Sequence, residues 1–144
     1  MSHTDAGHYA AKHAPGIQIN PQIAELVKQY TSNGRITCAD AHTIAQELNV
    51  SPAEVGVIID LLEIQLSTCQ LGLFGYGPQK RIVQPAEHVS PKLKNALENA
   101  QRDNRLSCFS AWKFAERFGI SRIDIAAACE ALQVKISACQ LGTF

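Results

Sequence analysis

The hexapeptide Cys69-Gln70-Leu71-Gly72-Leu73-Phe74 returns at an offset of 70 as Cys139-Gln140-Leu141-Gly142-Thr143-Phe144. Residues 19 to 74 align with residues 89 to 144 at that offset without a gap, and about thirteen of the 56 positions are identical. A fixed-period self-similarity of this length means that both stretches form the same supersecondary unit. The chain is thereby restricted to two copies of one small module. A module of about 55 residues buries too little surface to be robust alone, so the copies are expected to pack on something.

The duplication organises the rest of the chain. An N-terminal arm, 1–18, is expected to be flexible; module 1 follows over 19–76, then a proline-containing linker over 77–88 and module 2 over 89–144. The first residues lack the apolar core of a secretory signal, and no run approaches the length of a membrane span, so no membrane partner and a cytoplasmic location are expected. In that reducing compartment the five cysteines read as thiols or ligands rather than disulfides. Formal net charge is zero, yet the first repeat carries minus four and the second plus three. Opposite charge on the two repeats favours either packing of one on the other or head-to-tail self-association.

Local signals repeat with the same period. Asn20-Pro21 and Ser90-Pro91 start a helix, because the polar side chain caps and proline at the first helical position needs no N–H partner. Ile23, Leu26, Val27 and Tyr30 form its apolar face, as do Leu93, Ala96, Leu97 and Ala100. After turns at Asn33-Gly34 and Asp103-Asn104 come short extended segments, 35–37 and 105–107. Thr37 and Ser107 then cap a second helix, with Cys38, Ala41, Ala45 and Leu48, or Cys108, Ala111, Ala115 and Phe118, on one face. Ser51 and Ser121 cap a third helix, whose core face is Val55, Ile58, Ile59 and Leu62, or Ile125, Ala128, Cys129 and Leu132. A strand follows: Ile64, Leu66 and Thr68 alternate with Gln65, Ser67 and Cys69, and residues 134–139 repeat the alternation.

This order resembles the winged helix-turn-helix superfamily. The turn carries the resemblance: Ala45 or Ala115, then Asn49 or Gly119 four positions on, then Val55 or Ile125 six further. At the level of fold the pattern is similar to the winged domains of molybdate-responsive regulators. The resemblance implies a mainly α fold with small β wings, as two tandem winged helix-turn-helix modules, the first wing being Leu71 to Tyr76. It also implies a third helix that lies in the DNA major groove. The outward positions of that helix are Ser51, Pro52, Ala53, Gly56, Val57 and Asp60, or Ser121, Arg122, Ile123, Ala126, Ala127 and Glu130. Base edges are read by long donors, and of these residues Arg122 alone is one. Small residues and two acids are poor phosphate partners and suit close packing. Arg105, Lys113, Arg117 and Arg122 could still make a phosphate-binding face on module 2.

The cysteines divide into two classes. Cys38 and Cys108 lie on core faces and Cys129 aligns with Ile59, so all three read as small buried hydrophobes. Strand phase puts Cys69 and Cys139 on the opposite face from Leu66 and Ile136, partly exposed beside a glycine loop. They are the candidate metal or redox residues, as a two-thiol site; a four-cysteine site with Cys38 and Cys108 would need the core rearranged. The alternative is a structural hairpin in which Gln70, Gly72, Phe74, Gln140, Gly142 and Phe144 only shape a turn. There is no C-x-x-C pair. The cofactor is undetermined, a thiolate-bound metal being the one candidate. His3, His8 and His13 recur at a spacing that fits no helix or strand face and read as part of a disordered arm. Trp112 replaces His42 on the second helix, as a packing residue between modules or a partner anchor. No phosphate loop, nucleophile with its base, or carboxylate pair marks an enzyme. The expectation is a non-enzymatic regulatory or adaptor protein that binds a protein partner or its own copy, with Cys69 and Cys139 as sensing positions. The alternatives are a DNA-binding regulator working through module 2 and a Cys-ligated metal or redox protein.

Overall fold

The computed structural model describes residues 9–13, 16–76 and 81–142. The order of elements is a 3-10 turn (Tyr9–Lys12), α1 (Pro21–Tyr30), β1 (Arg35–Thr37), α2 (Cys38–Leu48), α3 (Pro52–Leu61) and β2 (Gln65–Ser67). It continues with α4 (Pro91–Ala100), β3 (Arg105–Ser107), α5 (Cys108–Phe118), α6 (Arg122–Ala131) and β4 (Lys135–Ser137). The chain is mainly helical, with two very small sheets.

The helix boundaries follow from their caps. Asn20 Oδ1 accepts the Gln22 and Ile23 amides at 2.9 and 3.4 Å, and Ser90 Oγ accepts the Leu93 amide at 3.3 Å. Thr37, Ser107, Ser51 and Ser121 each accept the amide three residues on, at 3.0 to 3.2 Å. Each such cap stabilises its helix by about 1 kcal/mol. The second helices stop where Asn49 (φ 53°) and Gly119 (φ 65°) turn left-handed. Asparagine and glycine are the residues that tolerate this conformation best.

The strands pair in parallel. Arg35, Ile36 and Thr37 stand opposite Gln65, Leu66 and Ser67, and Arg105, Leu106 and Ser107 opposite Lys135, Ile136 and Ser137. The expected wing differs from what is found: residues 70–74 form turns and bends, and among the described residues β2 and β4 have no hairpin partner. No described helix is long and apolar enough to cross a membrane.

Two compact units emerge, Met1–Cys69 with Gln140–Phe144, and Gln70–Cys139. Unit boundaries therefore cross the repeat boundaries inside the hexapeptides. Each unit holds the helices of one repeat and, from the motif glutamine onward, the hexapeptide that follows the other. The core of the first unit is Ile23, Val27, Ile36, Ile44, Val55, Ile59 and Leu66, joined by Leu141 at 1% exposure. In the second unit Leu93, Leu97, Leu106, Ala111, Ile125, Cys129 and Val134 are joined by Leu71 at 0%. Full burial of a leucine side chain stabilises by about 1.5–3 kcal/mol, so the hexapeptide leucines belong to the cores.

The stretch expected to be a flexible arm differs from about Tyr9 onward. Tyr9 is buried, and the Tyr9 and Ala10 amides donate to the Glu63 carboxylate at 3.0 and 2.8 Å. Open amides at the start of a helical turn suit an anion. His3 and His8 lie outside the described residues, as do 77–80 of the linker and Phe144.

Candidate functional site

Thr68 and Ala138 follow β2 and β4 directly, and both adopt left-handed backbone, φ 52° and 53°. One such residue breaks the two-residue alternation of a strand. Cys69 consequently turns inward and is buried at 3% exposure, contrary to the partial exposure that strand phase predicts; Cys139 keeps intermediate exposure. Cys38 and Cys108 are buried on their helices, as expected, and Cys129 is buried too. Desolvation, with the nearby Glu130 adding to it, pushes the Cys129 thiol up to about 11. No group of three or more His, Cys, Asp or Glu residues that could hold a metal occurs among the described residues.

The hexapeptides pack on the third helices. In the first unit, a Cβ added at Gly56 would sit 2.0 Å from the carbonyl oxygen of Leu141 and 2.8 Å from its carbonyl carbon. Glycine in the middle of α3 costs helix stability, and this contact explains it: the tail backbone lies where any side chain would be. In the second unit Gly72 (φ 75°) turns the chain. Its carbonyl accepts the Ile82 and Val83 amides at 2.9 and 3.3 Å, and a Cβ there would come within 3.6 Å of Ile123 on α6. The Ala86 amide also donates to the Ala127 carbonyl at 3.0 Å.

The helix positions offered to a DNA groove are partly covered within their own units, Ser51, Ala53 and Ser121 at the helix starts being exposed. Gly56, Asp60 and Ala126 are buried, and Val57, Ala127 and Glu130 are partly so. Asp60, expected to face outward, is 1% exposed and its Oδ2 lies 2.8 Å from His13 Nε2. His13 is therefore held by α3 rather than lying in a disordered arm. The same position in the second unit, Glu130, meets Arg81. In each unit a basic side chain from the segment ahead of the repeat meets the acid on the third helix.

Arg122 is likewise engaged. Its guanidinium stacks 3.6 Å from the centre of the Trp112 ring, and its Nη1 donates to Gln70 Oε1 at 3.2 Å. Arginine is suited to do both at once, since its plane stacks while its edge donates. The arrangement ties the motif glutamine to α5 and α6, and Trp112 serves as the platform beneath the latch. Gln140 is partly exposed, and Gly142, with φ 84°, is exposed; Phe74 is partly buried.

Compared with protein-family models, curated proteins and solved structures, the chain matches none. The residues themselves must carry the functional reading.

Of the four basic residues expected on module 2, Arg105, Lys113 and Arg117 are exposed and Arg122 is not fully so. Sequence reading missed the latch of Gln70, Trp112 and Arg122, the roles of Leu71 and Leu141, and the arm contacts of Tyr9, Glu63, His13 and Asp60. One signal was available, since a glycine inside an otherwise apolar helix, Gly56, marks a close backbone approach.

Proposed function

We propose that this is a non-enzymatic regulatory or adaptor protein of winged-helix type, in which the third helices hold hexapeptide segments instead of reading DNA, and which acts through protein–protein contacts. The observation carrying this reading is the cover over α3 and α6: Leu141 on Gly56 in one unit, and Gly72 with Ile123 in the other. A groove-reading helix needs a free face and long donors. Here the one such donor, Arg122, stacks on Trp112 and binds Gln70. Sensing through the motif cysteines begins at Cys139, which keeps more surface than Cys69.

A gel-shift titration with random duplex DNA at low and moderate salt tests the proposal. No retardation is expected at either. A salt-dependent shift that is lost in Arg122→Ala, with the fold intact by circular dichroism, overturns it. The alternative of phosphate contact through module 2 draws on the exposure of Arg105, Lys113 and Arg117. It predicts a shift that is insensitive to Arg122 and lost in Lys113→Glu with Arg117→Glu.

A further inference from the structure

The second helices of the two repeats have the same length, 11 residues, and the same capping geometry, yet they present different surfaces. Side chains four apart lie along one stripe of a helix. In α5 that stripe is Phe109, Lys113 and Arg117; at the same positions α2 has Ala39, Thr43 and Glu47. Phe109 is 57% exposed, the largest exposure among the large apolar side chains described. Lys113 Nζ stands 5.4 Å from the centre of its ring, and the Arg117 guanidinium lies 5.6 Å from that of Phe118. This stripe projects an aromatic ring and carries two cations.

The α2 stripe is its complement. Ala39 and Thr43 are small, leaving a shallow surface, and Glu47 is exposed at the end. Glu47 also accepts the Tyr30 hydroxyl at 3.2 Å, and its charge raises the Tyr30 pKa. Net charge reinforces the match, because the repeat bearing α2 is negative and the repeat bearing α5 is positive while the whole chain is neutral. A neutral chain has no overall repulsion to oppose association, and patches of opposite sign steer encounter.

We propose that α5 of one copy docks on α2 of a second copy, with Phe109 over the Ala39 and Thr43 surface and Lys113 and Arg117 facing Glu47. This rests on the reading that the protein works by protein contacts, and it names the partner as the chain itself. The contact joins two different patches, so it is heterologous and builds rings or open chains rather than a twofold dimer. Two cations flanked by the exposed Glu116 make a poor track for a nucleic-acid backbone, which takes many phosphate contacts.

Sedimentation velocity on the full chain, across concentration and at low and high salt, tests the proposal. The average mass should rise above 15.7 kDa with concentration and fall back at high salt. Arg117→Glu and Glu47→Arg should each weaken association about tenfold or more, and the two together in one chain should restore it. A mixture of Phe109→Ala/Arg117→Ala chains with Glu47→Arg chains should stop at one-to-one dimers, because each component keeps one intact stripe and, between the two altered stripes, Lys113 repels the cation substituted at position 47. A chain that stays monomeric throughout, or associates equally well with either reversal, overturns the inference while leaving a different protein partner open. Salt-sensitive binding of duplex DNA that Arg117→Glu abolishes overturns both the inference and the functional reading on which it rests.

Discussion

Replacing Gly56 by alanine tests the central packing claim through the sign of its effect. In an isolated helix the change is favourable, since alanine in a helix interior is about 0.5–1 kcal/mol better than glycine. In this chain the new methyl would lie 2.0 Å from the Leu141 carbonyl oxygen and 3.1 Å from its Cα, both backbone atoms that cannot rotate away. Either the tail lifts or α3 shifts. Lifting the tail forfeits part of the burial of Leu141, up to about 1.5–3 kcal/mol, and forcing the methyl in costs a similar amount as overpacking. After the propensity gain is subtracted, the net expectation is a loss of about 1–2 kcal/mol. Equilibrium urea unfolding of the intact chain measures it. The same substitution in a chain lacking residues 140–144 should be stabilising by about 0.5–1 kcal/mol, because only the helix term remains. If Gly56→Ala stabilises the intact chain, the tail does not lie on α3 and the account of the covered helix is wrong.

The remaining predictions concern the latch, the turn and the buried thiol. Arg122→Ala removes the stack on Trp112, the sole tryptophan, so the fluorescence spectrum should shift while stability falls by about 1–2 kcal/mol; an unchanged spectrum would mean the stack is not formed in solution. Ala138→Gly and Thr68→Gly relieve left-handed backbone at two positions, and each should stabilise by roughly 0.5–1 kcal/mol in thermal or urea unfolding; loss of stability at both would contradict that geometry. The Cys129 thiol titrates near 11 when folded against 9.0 in its unperturbed state. Between those values the unfolded chain has released a proton that the folded chain keeps, so stability is full below pH 9 and declines as pH rises towards 11, by roughly 2–3 kcal/mol. Cys129→Ala should flatten that decline in urea unfolding followed against pH.

Much of the local structure was legible in the chain. Caps at Asn20, Thr37, Ser51, Ser90, Ser107 and Ser121 were readable because a capping side chain acts on amides two or three residues away. The core faces were readable because burial follows helical spacing. The wing was not found, since a strand's partner is not encoded in its own alternation: 65–67 and 135–137 pair in parallel with 35–37 and 105–107. The exposure of Cys69 was misjudged because one left-handed residue, Thr68, reverses the phase of all that follows, and threonine gives no sequence warning of it. His13 and Asp60, 47 positions apart, gave no local sign of meeting.

The sequence alone determined that there are two copies of one helical module, where each helix starts and stops, and that the repeated hexapeptide is the unusual feature of both. Those are matters of short range, governed by caps, spacing and turn residues. Tertiary structure decided what the hexapeptide does. Only in three dimensions does Leu141 find Gly56 and Gln70 find Arg122, because contacts between residues 52 to 85 positions apart depend on where the backbone turns lead, and no periodicity records that.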